Sequence, residues 1–386
     1  MDPVKITDDV YWVGGIDWDL RDFHGYITQK GSTYNSYLII DEKITLIDTV
    51  KHYLFDEMIE RISKVVDPSK IDTIISNHVE MDHSGSLPLI KKIAKNVEIV
   101  TSPHGEKGLK RHFKEDWKFK VVKTGDSINI GKRDLAFVQT PMVHWPDNMV
   151  TYSGYDKLLF SNDAFGQHYA SSERFDDNNI EIIIEEAKKY YANIVLPYSK
   201  QVRKALEDAG PLDIEIIAPS HGIIWRKNLD ILMENYQKWS NNKTDNKALI
   251  IYDTMWNSTG KIAYAIQRAF ENRGVATRML NLKSNHISDI MTEVLSAEYI
   301  CIGSPTLNKN MLPTVSAFLT YLKGLAPQNR KAIAFGSYGW AQGSVNDICD
   351  VFESCKFELL DKITVQFIPD EEELDEITRK VEGVIQ

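Results

Sequence analysis

Four side chains able to hold a cation stand within six residues of one another: His78, Glu80, Asp82 and His83, in Asn77-His78-Val79-Glu80-Met81-Asp82-His83-Ser84-Gly85. They follow an apolar run, where so many polar groups are costly to bury unless something pairs with them. A metal ion would do so. Alternation along an extended segment predicts His78, Glu80 and Asp82 on one side, with His83 adding an adjacent imidazole. Three further candidates stand where apolar runs end. They are His144 in Val143-His144-Trp145-Pro146-Asp147, Asp163 in Ser161-Asn162-Asp163-Ala164, and His221 in Pro219-Ser220-His221-Gly222. Four imidazoles and three carboxylates make a nitrogen and oxygen site with no thiolate. Carboxylates are hard ligands that can stabilise oxidised iron and bridge two metals. A histidine-rich set suits zinc and hydrolysis, and zinc also accepts carboxylate, so both metals stay open on the residues alone. His24, His52, His104, His112 and His286 lack such a context and read as surface or capping residues. His168 lies near Asp163 but matches no ligand position.

A second group of loops points to a flat, phosphorylated ligand. Asp253-Thr254-Met255-Trp256-Asn257-Ser258-Thr259-Gly260-Lys261 joins an apolar run to a helix. Hydroxyls and backbone N–H groups at a helix N-terminus make an anion site. The stretch does not fit a P-loop, which needs glycine at Met255 and Ser or Thr at Ile262, and no G-x-G-x-x-G fingerprint is present. Two more loops follow later strands: Gly303-Ser304-Pro305-Thr306-Leu307-Asn308 and Phe335-Gly336-Ser337-Tyr338-Gly339-Trp340-Ala341-Gln342-Gly343. An isoalloxazine ring needs apolar or aromatic faces and polar backbone at its edge. Leu307, Tyr338 and Trp340 could supply the faces. The three loops resemble the phosphate and isoalloxazine loops of flavodoxins. That resemblance implies FMN held by Thr254, Met255, Trp256, Asn257, Ser258, Thr259, Pro305, Thr306, Leu307, Asn308, Ser337, Tyr338, Gly339, Trp340, Ala341 and Gln342.

The elements that must position these loops fall into two grammars. Up to the polar stretch Ser240-Asn241-Asn242-Lys243-Thr244-Asp245-Asn246, short β-like runs mix with helices. Strands are expected at Ile71–Ser76, Ala136–Thr140, Leu158–Phe160 and Ile214–Ala218, with helices over Tyr53–Val65, Leu87–Ala94 and from Ile180. This reads as layered sheets flanked by helices. Beyond the polar stretch, strands at Ala248–Tyr252, Ala276–Asn281, Tyr299–Gly303, Lys331–Phe335 and Ile363–Phe367 alternate with helices, the last being Glu371–Val384. Five such units predict a doubly wound parallel sheet, with ligands at the carboxyl ends of its strands. The expected domains are 1–246 and 247–386.

Composition narrows the function. The chain has 386 residues, 43% hydrophobic and 26% charged, with a formal charge of -10. That is ordinary for a folded protein and opposes a nucleic-acid partner bound through a basic surface. No apolar run is long enough for a transmembrane helix, so no membrane association is expected. The three cysteines, Cys301, Cys349 and Cys355, contain no C-x-x-C pair. They argue against a disulfide framework, a zinc ribbon or thiolate-held iron, and for a reducing cytoplasm.

The ordered set His78-x-Glu80-x-Asp82-His83, His144, Asp163 and His221 resembles the metallo-β-lactamase superfamily, whose members usually carry histidine where this chain has Glu80. The glutamate version, followed by a flavodoxin-like region, resembles the flavodiiron proteins over nearly the whole chain, in their minimal two-domain form. The fold this implies is α/β: a metallo-β-lactamase-like αββα sandwich followed by a flavodoxin-like five-stranded sheet. The resemblance assigns His78, Glu80 and His144 to one iron and Asp82, His83 and His221 to the other, with Asp163 bridging. His24, in Arg21-Asp22-Phe23-His24-Gly25-Tyr26, and Tyr198, in Leu196-Pro197-Tyr198, resemble segments lining the substrate pocket, where a proton donor or hydrogen-bond partner would fit.

The implied activity is reduction of dioxygen to water, of nitric oxide to nitrous oxide, or both, with electrons relayed through FMN to two non-haem irons. The implied partners are an external electron donor, such as rubredoxin or a reduced deazaflavin, and a second copy in a head-to-tail homodimer or dimer of dimers. Two rival readings remain from the residues: a zinc hydrolase of glyoxalase II type fused to a flavodoxin domain, using metal-bound hydroxide, and a plain electron carrier.

Overall fold

The computed structural model describes residues 2–385. The chain packs into two compact units. One takes the chain up to Tyr190 and again Lys200–Gln237; the other takes Tyr191–Ser199 and the chain from Lys238 onward. The polar stretch 240–246 is ordered: Ser240 ends the helix Leu229–Ser240 and Asp245 opens the strand Asp245–Tyr252.

β-branched and aromatic runs build two sheets in the first unit. The larger runs Val4–Thr7, Val10–Trp12, Tyr37–Ile39, Thr45–Ile47, Thr73–Ser76, Glu98–Thr101, Phe119–Val121, antiparallel as far as Thr45–Ile47 and parallel from there. The smaller runs Ser127–Asn129, Asp134–Gln139, Met149–Ser153, Leu158–Asn162, Ile216–Pro219, with only the last pair parallel. Residues alternate across the larger sheet as a period of two requires. Tyr37, Ile39, Ile47, Ile75 and Val100 cluster with Leu135, Phe137, Met149, Leu158 and Phe160 of the smaller sheet. The intervening Leu38, Leu46, Ile74 and Ile99 cluster with Met58, Ile62, Leu87, Ile90 and Leu109 on helices. The result is the αββα sandwich.

One buried ion group ties the two sheets together at their turns. The Arg133 guanidinium donates to Asp156 Oδ2 at 2.8 Å, to Asp41 Oδ2 at 3.0 Å and to the Asp8 carbonyl at 2.6 Å. Asp41 follows a strand of the larger sheet, and Asp156 lies in a turn of the smaller. All three charged side chains are buried.

The second unit is a parallel sheet in the order Ala276–Asn281, Asp245–Tyr252, Ala297–Gly303, Lys331–Tyr338, Glu358–Gln366. Its strands are apolar because helices cover both faces. Ile250, Ile333 and Phe335 pack with Ile262, Ile266 and Phe270 of the helix Ser258–Asn272 and with Ile377 and Val381 of the helix Glu371–Val384. The order, numbered by sequence, is 2-1-3-4-5. Strands one and three are therefore neighbours, and their carboxyl ends open a crevice.

One local expectation fails. Met81–Ser84 is a helical turn, not extended chain. Its rotation of about 100° per residue carries Asp82 away from the side that His78 and Glu80 share, so alternation stops at Glu80.

Candidate metal centre and flavin cleft

Each metal candidate sits just beyond a strand of the sandwich. His78 and Glu80 follow Thr73–Ser76, His144 follows Asp134–Gln139, Asp163 directly follows Leu158–Asn162, and His221 follows Ile216–Pro219. Buried asparagines lock these loops together. Asn77 accepts from the Thr151 hydroxyl at 2.8 Å and donates to Asp48 Oδ2 at 3.1 Å. Asn148 Nδ2 donates to Asn162 Oδ1 at 2.9 Å, and Asn162 Nδ2 donates to the Ser220 hydroxyl at 3.3 Å. The loops carrying His144, Asp163 and His221 therefore share one hydrogen-bonded spine.

The seven side chains converge as two groups. Ligand atoms of His78, Glu80, His144 and Asp163 lie within 4.8 Å of one another, and so do those of Asp82, His83 and His221. Asp163 faces both. Its Oδ2 lies 3.5 Å from His78 Nε2 and 3.3 Å from His144 Nε2. Its Oδ1 lies 3.0 Å from His83 Nε2 and 3.3 Å from His221 Nε2. Ligands held at about 2.1 Å from a shared ion stand about 3 Å apart when adjacent, which is the spacing seen.

The site fits metal on a second ground. Among the described residues, both oxygens of Asp82, both of Asp163 and both ring nitrogens of His83 are buried without a hydrogen bond of good geometry. Buried polar atoms are rarely left so. Their close approaches have the spacing that the edges of a coordination shell would have. The outer nitrogens of two imidazoles are fixed as ligation requires: His78 Nδ1 lies 2.9 Å from Asp147 Oδ2, and His221 Nδ1 lies 2.8 Å from the Thr33 carbonyl.

The carboxylates and imidazoles of the site shift one another's protonation. Burial opposes an imidazolium at His144, but the Asp163 and Glu80 carboxylates beside it outweigh that and hold its pKa up at about 9. Burial likewise opposes the charge on His221, yet Asp163 and Asp82 raise it to about 10. Burial would raise the Asp163 carboxyl, but His83, His144 and His221 hold it well below the usual range.

The two groups differ in access. Asp82, His83 and His221 are sealed, with Tyr34 and Tyr190 packed on the His221 ring at 5.4 and 5.9 Å. Glu80 and His144 keep 12% and 14% of their side-chain surface open. His24 stands over that opening, 74% exposed, with Nε2 3.1 Å from Glu80 Oε1. Tyr198 is half-buried in the short helix Leu196–Tyr198, a segment packed with the second unit.

In the second unit a cavity of about 800 Å³ opens at the strand ends. Met255, Trp256, Ser258, Pro305, Thr306, Leu307, Asn308, Ser337, Tyr338, Gly339, Trp340 and Ala341 line it. Trp256 and Trp340 stand 87% and 94% exposed, flat aromatic surfaces with nothing from this unit over them. The cavity's residues suit a planar ring system. The phosphate end fits as well: the Thr254 hydroxyl is buried without a partner among the described residues, in the loop that opens the helix Ser258–Asn272. Four of the expected contacts do not line the cavity. Thr254 and Asn257 shape the loop, Thr259 bonds the Ser337 hydroxyl at 3.0 Å, and Gln342 lines a small adjoining space. Lys309, Phe367 and Ile368 line the cavity unforeseen. Phe367 and Ile368 follow the fifth strand, so the strand-end rule applied to every strand would have found them. Lys309 lies one residue past the quoted loop.

Fold and site define a flavoprotein carrying a binuclear nitrogen and oxygen metal centre. A family model described as ODP family beta lactamase matches residues 33–222, and one described as flavodoxin matches residues 250–380. A nitric oxide reductase of Moorella thermoacetica is 42% identical, the match covering 98% of each chain. Among solved structures, the rubredoxin oxygen:oxidoreductase of Desulfovibrio gigas superposes with a TM-score of 0.97 at 39% identity, covering 99% of this chain and 98% of the other. The flavodiiron protein of Giardia intestinalis does so with a TM-score of 0.96 at 35% identity, covering 100% and 96%. The chain belongs to the flavodiiron protein family. It is an oxidoreductase with FMN and a diiron site as cofactors, and the glyoxalase-type hydrolase alternative is not favoured.

Proposed function

We propose that this chain reduces dioxygen to water (O2 + 4e− + 4H+ → 2H2O), nitric oxide to nitrous oxide (2NO + 2e− + 2H+ → N2O + H2O), or both. The observation that carries the reading is the Asp163 carboxylate, one oxygen turned to each group of imidazoles. Such a carboxylate suits two ions held close together, and Glu80 adds the hard ligand that favours iron over a histidine-rich zinc set. When bound, FMN supplies electrons singly or in pairs, and two ferrous ions supply the diatomic's binding and reduction.

The chain's own residues do the rest. His78, Glu80 and His144 would hold one iron, and Asp82, His83 and His221 the other, with Asp163 between. Asp147 and the Thr33 carbonyl orient His78 and His221. Tyr34 and Tyr190 keep water from the sealed side. His24, with Nε2 3.1 Å from Glu80 Oε1, is proposed to hold a proton for a bound diatomic; Tyr198 is proposed as a second such group. Trp340, Tyr338 and Leu307 would face the flavin ring, and the Thr254 loop its phosphate.

For partners, we propose a rubredoxin or a reduced deazaflavin as donor. The first is supported by a Megalodesulfovibrio gigas relative named rubredoxin-oxygen oxidoreductase. The family resemblance supports a head-to-tail dimer or dimer of dimers. Three unpaired cysteines support a reducing cytoplasm, and among the described residues no helix is long and apolar enough to cross a membrane.

The test is anaerobic. The iron- and FMN-loaded protein is reduced, then reoxidised against matched dioxygen and nitric oxide with a peroxide assay. Fast turnover of either gas without peroxide is expected. Slow reoxidation in dioxygen that yields peroxide, with none in nitric oxide, would show flavin acting alone and overturn the diiron reading.

A further inference from the structure

Asn308 and Lys309 both have positive φ, 51° and 66°. Leu307 N donates to the Asn310 carbonyl at 2.8 Å, and Asn310 N returns a bond to the Leu307 carbonyl at 2.9 Å. The pair therefore forms the corners of a tight two-residue turn of the mirror-image kind, which favours asparagine first and glycine second. Lysine at the second corner bears strain that glycine would not. The turn is also pinned. Gly343 passes so close that a Cβ there would stand 1.9 Å from the Lys309 carbonyl oxygen. Asn310 Nδ2 donates to the Asn308 carbonyl at 3.0 Å.

Strain kept at one residue invites the question of what that residue does. Lys309 is the only charged residue among those lining the 800 Å³ cavity. It makes no ion pair among the described residues. A chain with a formal charge of -10 thus places one free cation on the wall of its flavin cleft.

We propose that Lys309 sets the reduction potential of the flavin held there. The proposal rests on the reading that this cavity takes FMN. Reduction by two electrons from the donor and one proton (FMN + 2e− + H+ → FMNH−) adds one negative charge to the ring. A cation on the wall favours that product and raises the potential. Because Lys309 is exposed to solvent, the effect is screened by salt. The same charge binds reduced flavin more tightly than oxidised flavin, by linkage.

The experiment is an anaerobic spectroelectrochemical titration of the FMN-loaded full-length protein, with dithionite as reductant, on wild type, Lys309→Gln, Lys309→Arg and Lys309→Gly. Flavin affinity is measured in parallel by fluorescence. The glutamine and glycine variants are expected to have lower potentials, by an amount that shrinks as salt rises. The arginine variant should keep the wild-type value, and the glycine variant should melt no lower than wild type. A glutamine variant that binds FMN at the wild-type potential overturns the proposal. A wild-type chain that takes up no FMN overturns the cleft assignment, and this proposal with it.

Discussion

His78 Nδ1 lies 2.9 Å from Asp147 Oδ2, and the same oxygen accepts the Val79 N–H at 2.8 Å. One carboxylate thus fixes both the imidazole and the backbone beside it, and leaves Nε2 of His78 turned toward Asp163. Outer partners of this kind tune affinity as well as geometry. Asp147→Asn cannot accept both bonds on an ionised oxygen. It is expected to weaken metal retention about 10–100-fold, measured by competition with a chelator, while FMN binding is unchanged.

Asp163 is the residue common to both groups of ligands. Asp163→Ala should lower the metal content from two ions per chain to one or fewer and abolish turnover of both gases. The flavin spectrum should be unaltered, because the cleft belongs to the other unit. Metal analysis showing two tightly held ions in this variant would contradict the bridging role.

Removing the metal should change how stability depends on pH. His144 and His221 stand at about 9 and about 10 in the metal-free protein, above the ordinary histidine value of about 6.5. A raised folded-state pKa gives stability that is fully present below the unfolded value and lost as pH rises through the folded one. The metal-free chain should therefore lose stability between about pH 6.5 and 10. The loaded chain should not share that loss, and metal uptake near neutral pH should release protons. Thermal melts of both forms across that range, with a pH indicator during metal addition, check each point.

Arg133 offers a test of the scaffold apart from the chemistry. Arg133→Met leaves Asp41 and Asp156 buried without their partner, which is expected to cost about 3–5 kcal/mol. Denaturant unfolding should show it. Triple replacement of Arg133, Asp41 and Asp156 by apolar residues should recover much of the loss, since no unpaired charge is then left inside.

Asp163 and the six side chains around it stood out as candidates in the sequence because each lies beyond an apolar run, where a polar group needs a reason. Their division between two groups was not legible from alternation. A single helical turn, Met81–Ser84, rotates Asp82 away, and four residues carry too little periodicity to announce it. The asparagine spine of Asn77, Asn148 and Asn162 was invisible for another cause: its bonds join loops far apart in sequence. The helix Pro103–Phe113 was missed although its signal is local. The Ser102 hydroxyl caps Gly105 N at 3.0 Å and proline opens the first turn, the usual pairing. In the second unit the parallel strands were plain, since burial on both faces gives continuous apolar runs. Lys309 escaped because a turn corner with positive φ is marked by glycine or asparagine, and here lysine occupies it.

The four stretches that bear ligands leave the ribosome in sequence, and His221 is the last of them. Four of the seven side chains, His78 to His83, emerge early, but they cannot close a coordination shell until the strands before His144, Asp163 and His221 have joined the smaller sheet. The complete set of ligands for either group therefore exists only once the sandwich has folded. A chain ending before His221 would lack one of the three side chains of the sealed group, so tight binding of a second ion depends on the last ligand-bearing stretch.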